Sequence, residues 1–347
     1  MNILVTGGRG FIGTHACDAL LKRGHELVVV DLRPLPDGTT SQHHRVRHIQ
    51  ADIRDRQAMN EAMQGCDAVL HLAAAHHDYG LTEATFESVN VEGTRAILDA
   101  ARASGVGSLC FYSSVAVYGS AAGHADESTM PAPESPYGRT KLQAEDLVRQ
   151  WAADQSGRCV IIRPAVVFGE GHFANMFTLI RQIDRGVFLQ IGNGKNYKSV
   201  CYVKNIVAAT LSVWLENPPD TGEVALYNYA DSPDLTSAQI AEHIRCALRR
   251  RRSAVAIPYA LARFLVLPID AFAHLTDRHF PVSGARIKKF AVSETRFSAT
   301  RIRHSGFTPD FSITDGLDRM IAWYQAEKKE GTSFRDVALL PPEHFSA

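Results

Sequence analysis

The segment Thr6-Gly7-Gly8-Arg9-Gly10-Phe11-Ile12-Gly13 constrains this chain more than any other. It follows a strand-like apolar run, Ile3 to Val5, and opens a helical pattern in which Ile12, Ala16 and Leu20 recur four residues apart. Glycines in that strand-to-helix context allow a tight turn and close backbone approach. The helix start then offers unpaired N–H groups and a favourable dipole to a pyrophosphate. Asp31 closes the next apolar run, Leu27-Val28-Val29-Val30, where a carboxylate can accept both hydroxyls of an adenosine ribose. The pattern predicts a dinucleotide site containing Gly7, Gly10, Phe11, Ile12, Gly13 and Asp31, with NAD favoured over NADP. Arg9 inside the loop and Arg33 just past the acid argue the other way, because each can pair with a 2′-phosphate.

Further along, short apolar runs at Ala68 to Leu72, Leu109 to Ser113 and Val160 to Arg163 alternate with helical patterns. Such alternation predicts an α/β fold, a doubly wound parallel sheet of the Rossmann type with helices on both faces. Residues 1–168 read as the dinucleotide-binding domain and 169–327 as a smaller α/β substrate-binding region, with interleaving of the two left open. Residues 328–347 read as a turn-rich tail. With 347 residues, 45% of them hydrophobic, the chain is long enough for this core. Thirty-seven basic residues balance 37 acidic ones, so no global field draws nucleic acid or an anionic membrane. Six scattered cysteines without a Cys-x-x-Cys pair read as buried reduced thiols, not as a disulfide framework or a metal site. An N-terminus that runs straight into a strand reads as lacking a signal peptide, and the expected setting is the cytoplasm.

Tyr137 and Lys141 lie four apart at the start of a helical run, on one face of that helix. A phenol titrates too high to serve as a base at neutral pH unless a neighbouring ammonium stabilises its phenolate, which is what this spacing supplies. Upstream, Ser114 stands just past a probable strand, at the carboxyl edge where ligands sit in open α/β sheets, and can hydrogen-bond a reacting oxygen.

These motifs occur in a fixed order together with Ala51-Asp52-Ile53, His71-Leu72-Ala73-Ala74, Val89-Asn90-Val91-Glu92-Gly93-Thr94 and Arg163-Pro164. From Asn2 to about Tyr324 the chain resembles the extended short-chain dehydrogenases/reductases of the NAD-dependent epimerase/dehydratase family. The resemblance implies that Asp52 and Ile53 flank the adenine, that Leu72, Ala73 and Ala74 line the dinucleotide path, and that Lys141 also contacts the nicotinamide ribose. It adds Asn90, Arg33, Pro164 and Val166 to the cofactor set, Ser114, Asn175 and Lys198 to the substrate set, and a homodimer as the assembly.

Family dehydratases carry an Asp-Glu pair directly after the catalytic hydroxyl residue, whereas this chain has Val115-Ala116, so 4,6-dehydration is excluded and decarboxylation with it. The expectation is NAD-dependent 4-epimerisation or 4-keto reduction of a nucleoside-diphosphate sugar, in a setting such as polysaccharide synthesis. Lys198 stands where the family has a phosphate-binding arginine, and Val166 where sugar epimerases have an asparagine. Two alternatives stand beside that expectation: a hydroxysteroid-like dehydrogenase of an apolar alcohol, and a dinucleotide-sensing protein without turnover. Among Arg286, Lys288 and Lys289, one is a candidate for the second phosphate. The apolar segment 259–272 reads first as a buried lid or packing helix, and only second as a membrane-surface contact beside Arg249 to Arg252.

Overall fold

The computed structural model describes residues 1–34, 44–76, 80–120, 123–250, 255–265, 267 and 294–330. Arg286, Lys288, Lys289, Arg251, Arg252, residues 268–272 and the tail beyond Glu330 lie outside the described residues.

Fifteen strands are present among the described residues. In chain order they are β1 (Asn2–Thr6), β2 (Glu26–Asp31), β3 (Val46–Gln50), β4 (Ala68–His71), β5 (Ser108–Tyr112), β6 (His124–Ala125), β7 (Arg158–Pro164) and β8 (Val166–Phe168). There follow β9 (Leu189–Ile191), β10 (Tyr197–Lys198), β11 (Val200–Tyr202), β12 (Val224–Tyr229), β13 (Leu235–Thr236), β14 (Val255–Ile257) and β15 (Arg296–Phe297). The helices are α1 (Phe11–Lys22), α2 (Arg56–Met63), α3 (Glu83–Phe86), α4 (Gly93–Ala103), α5 (Pro136–Gln155), α6 (Asn175–Arg185), α7 (Val203–Leu211) and α8 (Ser237–Ala247). A helix over 259–265, a short helix Thr300–His304 and a C-terminal helix Ile313–Lys329 follow, and the tighter or wider helical turns Glu87–Glu92, Val115–Tyr118 and Ser212–Glu216 are also present among the described residues.

Seven strands form one sheet in the order β12-β7-β5-β4-β1-β2-β3, every neighbouring pair parallel. This is the doubly wound α/β fold expected. Central strands such as β1, β4 and β5 are buried along nearly their whole length, as a sheet covered on both faces requires. One face packs its core with α2, α4 and α5 through residues such as Met59, Ile97 and Trp151; the other packs with α1, α7 and the turn Ser212–Glu216 that follows α7 through Leu20, Ile206 and Trp214. A third core joins α6, α8 and the C-terminal helix around Phe177, Ile244 and Met320. The order reverses between β1 and β4, and the crevice at their carboxyl ends is where such sheets take ligands.

β12, from residues beyond 168, pairs with β7 at the edge of the main sheet, so the second half of the chain is threaded through the first. All six cysteines are free. Burial was expected of each, but Cys246 is exposed, because the last turn of α8 directs it to solvent beside Glu242 and Arg245.

Candidate active site

The glycine loop faces the β4 loop across the crevice. Gly7 has φ of 67°, and a Cβ there would stand 2.8 Å from the Ala73 nitrogen; a Cβ on Gly13 would stand 2.2 Å from the Gly7 carbonyl oxygen. Only glycine lets the first turn of α1 close onto β1 while the loop approaches Ala73. The helix begins at the Gly10 N-cap without any side-chain cap, so its first N–H groups are left for a ligand.

Below this loop runs an ordered chain of hydrogen bonds. Thr94 Oγ1 donates to the Asn90 carbonyl (2.6 Å) and accepts from His71 Nε2 (3.0 Å). His71 Nδ1 then accepts from Thr6 Oγ1 (2.7 Å), and that oxygen accepts the Ala73 N–H (3.2 Å). Burial, helped by the charge of Lys141, pushes the His71 pKa down to about 3, which keeps the ring neutral in this tautomer. The Asn90 side chain is fully engaged with protein: its oxygen accepts from the Ala75 N–H and its nitrogen donates to the Ala75 carbonyl and to Thr140. Asn90 therefore holds the Ala73–Ala75 loop against α5 and turns no side-chain group to the crevice. Leu72, Ala73 and Ala74 are half-buried along it.

At the end of β2 the two Asp31 oxygens accept from the backbone N–H groups of Arg9 (2.9 Å) and Arg33 (3.0 Å). The two guanidinium groups reach each other's carbonyls, Arg9 donating to Arg33 and Arg33 to Arg9. The arginines that argued for a 2′-phosphate are thus engaged around the carboxylate that opposes one. Asp52 pairs with Arg54 at 2.7 Å. Ile53 is buried beneath α4, where a Cβ on Gly93 would fall 2.6 Å from its Cδ1.

Ser114, Tyr137 and Lys141 are assembled by two packing events. The Ser114 hydroxyl accepts from the Ala116 N–H and starts a single 3-10 turn, Val115–Tyr118. Ser135 caps α5 by accepting from the Gly138 N–H at 3.0 Å, with Pro136 at the first helical position and Tyr137 at the second. A Cβ on Gly138 would lie 2.5 Å from the Ala116 carbonyl oxygen, so glycine is what seats the start of α5 on the turn bearing Ser114. One helical turn later, Lys141 is buried with its Nζ 4.1 Å from the centre of the Phe111 ring. Burial lowers its pKa to about 7, with the Glu145 carboxylate acting in the opposite direction. Among the described residues, no cluster of His, Cys, Asp or Glu is suited to a metal.

Glu145, one turn further on the same face, is fully buried and accepts from Arg163 through both oxygens (2.8 and 2.6 Å) and from the Ser113 hydroxyl (2.5 Å). Arg163 also donates to the Tyr118 hydroxyl at 2.8 Å. The network ties α5 to β5, β7 and the Ser114 turn. Glu145 was not singled out from sequence, and His71 stood in its motif without a role. Their signals were an acid in the i, i+4, i+8 series with Tyr137 and Lys141, and a histidine ending an otherwise apolar strand.

Pro164 is buried at the end of β7 and pairs with Tyr229, whereas Val166 is exposed at the same edge. Asn175 is exposed in the first turn of α6, one residue past the Ala174 cap. Lys198 lies on β10, half-buried beside Leu235 of β13. His172, just before α6, stacks on Phe11 of the glycine loop at 4.2 Å, joining the second half of the chain to the crevice.

This geometry has relatives. Residues 3–228 match the NAD dependent epimerase/dehydratase family. The chain is 34% identical over 336 residues, 96% of its own length and 98% of the other's, to the N-acetyl-alpha-D-glucosaminyl-diphospho-ditrans,octacis-undecaprenol 4-epimerase of Escherichia coli O157:H7. It is 28% identical to the 2-alkyl-3-oxoalkanoate reductase of Stenotrophomonas maltophilia, covering 93% of this chain and 99% of that one. Among solved structures, MoeE5 in complex with UDP-glucuronic acid and NAD superposes with a TM-score of 0.74 at 27% identity, over 94% of this chain and all of that one.

Proposed function

The chain belongs to the NAD dependent epimerase/dehydratase family, and from that premise we propose that it inverts C4 of an N-acetylhexosamine linked through a diphosphate to a polyprenol. The end-to-end likeness to the undecaprenol-linked 4-epimerase carries this reading and replaces the nucleoside of the sequence expectation with a lipid carrier. The residues of the crevice fit NAD: the Cβ-free approach of Gly7 to Ala73, the uncapped start of α1 and the Asp31 carboxylate provide for its pyrophosphate and ribose. Bound there, NAD supplies a hydride acceptor and donor for the carbinol carbon.

The chain's own residues do the rest. Tyr137 removes the proton of the C4 hydroxyl and later returns it, while Ser114 holds that oxygen by a hydrogen bond. Lys141, cationic in the working state, stabilises the Tyr137 phenolate and donates to the nicotinamide ribose. Val115 and Ala116 carry no proton, so no second acid or base stands beside Ser114 to expel water from the sugar. Asn175 and Lys198 are assigned to the diphosphate; a lysine there contributes charge without the fork of an arginine.

The test is to incubate N-acetylglucosaminyl-diphospho-undecaprenol in detergent with the purified protein, without added dinucleotide, and to identify the released sugar. Formation of the galacto epimer, abolished by Tyr137→Phe, is expected. Net production of reduced dinucleotide from an apolar alcohol, with the sugar untouched, would instead establish the dehydrogenase alternative.

A further inference from the structure

Seven of the ten large apolar side chains exposed among the described residues fall in one place: Val187, Leu189, Val255, Leu261, Phe264, Leu265 and Leu267. They form one surface. β14 pairs with β9 in parallel, bringing Val255 beside Leu189 and Ile257 beside Ile191, and strand alternation puts all four on the same face. Ile191 and Ile257 pack against Ala262 and Tyr259, which seats the helix over 259–265 on that small sheet.

The sequence predicted a helix that buries its apolar side. Instead Ala262 is its one fully buried residue among those described, while Leu261, Phe264 and Leu265, at the i, i+3, i+4 spacing of a single stripe, face outward. Phe264 is 69% exposed and Val255 63%. An outward apolar stripe continued by an apolar sheet edge is too extensive to be scattered surface hydrophobics and marks an interaction site.

Charge and location select the occupant. Residues 187–191, 255–265 and 267 contain no acid and one full charge, Arg263, which is exposed. Arg249, exposed, lies just before β14 in the chain, next to Arg250, whose guanidinium is paired with Asp184 at 2.6 Å. A surface with apolar side chains at its centre and arginines at its margin complements anionic lipid headgroups over acyl chains. The same stretch of chain carries the residues assigned to the diphosphate: α6 runs from Asn175 to Arg185, two residues before Val187, and β9 leads to Lys198 seven residues on. Asn175 is separated from the patch by the length of α6, roughly 16 Å.

We propose that this face, built from β9, β14 and the helix over 259–265, docks on an anionic membrane surface so that a diphosphate-linked sugar enters the crevice while its lipid stays in the bilayer. The statement about the substrate rests on the proposed function; the docking surface does not.

The experiment is flotation of the full-length protein with vesicles of phosphatidylglycerol and phosphatidylethanolamine, and with vesicles of phosphatidylcholine alone. Wild type should float with the anionic vesicles, weakly with the neutral ones, and less as salt rises. The double variant Phe264→Ser/Leu265→Ser should lose at least tenfold in partitioning while keeping the wild-type thermal midpoint and dinucleotide content. Tyr137→Phe should float as wild type does, which separates docking from catalysis. Wild type that remains unbound to anionic vesicles overturns the proposal, and so does a double variant that floats equally well. A stable dimer that the double variant converts to monomer, with no vesicle binding by either, overturns it in favour of a second copy as occupant. Vesicle binding without conversion of the lipid-linked sugar retains the surface and removes the proposed substrate.

Discussion

Replacing Gly138 by alanine should move Tyr137 away from Ser114 at a modest cost to stability. The added Cβ would lie 2.5 Å from the Ala116 carbonyl oxygen and 3.1 Å from Pro133 Cβ. Reaching ordinary contact at 3.4 Å needs a retreat of about 0.9 Å (3.4 − 2.5) between the start of α5 and the turn that bears Ser114. Tyr137 is the neighbouring residue in the chain, so the retreat is imposed directly between Tyr137 and the turn that bears Ser114. A misplacement of about 1 Å costs on the order of 100-fold in rate. Alanine is favoured over glycine in a helix by about 1 kcal/mol, which offsets part of a steric cost of about 1–3 kcal/mol, so the thermal midpoint should fall by a few degrees while the fold persists. Steady-state turnover of wild type and Gly138→Ala, alongside their thermal midpoints and dinucleotide content, reads both quantities. A variant with turnover within twofold of wild type would refute the idea that this contact sets the distance between Ser114 and Tyr137.

Three further outcomes follow from the networks around the site. Glu145→Ala leaves Arg163 buried without its carboxylate and should destabilise the protein by about 3–5 kcal/mol in urea unfolding, whereas a loss below about 1 kcal/mol would show that the pair does not hold β5, β7 and α5 together. His71 is neutral in the fold, with its pKa near 3 against 6.5 in the unfolded chain. The unfolded state therefore binds the extra proton between those values, and stability present above pH 6.5 is lost as pH falls, by up to about 1.4 kcal/mol per pH unit. His71→Asn should flatten that acid limb in unfolding measured from pH 7 to 4; an unchanged slope would mean that His71 is not its source. Asp31→Asn removes the charge that opposes a 2′-phosphate and leaves Arg9 and Arg33 beside the site, so preference for NAD over NADP in calorimetric titration should fall about tenfold or more. An unchanged preference would assign cofactor choice to other residues.

The strands and helices that carry the dinucleotide crevice were legible because they are central and buried: apolar runs such as Leu27–Val30 and Val160–Ile162 are what a two-faced parallel sheet demands. β3 was not, since Val46-Arg47-His48-Ile49-Gln50 is an edge strand with only two apolar side chains and no burial pressure to write a pattern. β12 was hidden for a related reason, lying at the opposite edge within a turn-rich stretch that the reading had given to the substrate region. The tail read from residue 328 starts inside a helix: the C-terminal helix runs on to Lys329, and Lys328 reaches Asp184 across the third core, a contact made in space and invisible in sequence. The same holds for the site. Spacing placed Tyr137 and Lys141 on one face, but the hydrogen-bond chain from Thr94 through His71 to Ala73, and the seating of α5 on Ala116, join residues far apart in the chain. Of the apolar segment 259–272, the described helix over 259–265 packs only through Ala262 and Tyr259 and leaves Leu261, Phe264 and Leu265 exposed, because an apolar stripe reports that a side needs cover without reporting whether protein provides it.

The proposed reaction inverts a single carbon and returns the same hydrogen to it. The most direct test supplies N-acetylglucosaminyl-diphospho-undecaprenol bearing deuterium at C4 to the protein as purified, with no dinucleotide added, and locates the label by mass spectrometry of the released sugar. Galacto epimer that retains deuterium at C4 is the expected result. Epimer that has exchanged the label for solvent hydrogen, or unchanged starting sugar from protein that carries its dinucleotide, would contradict it.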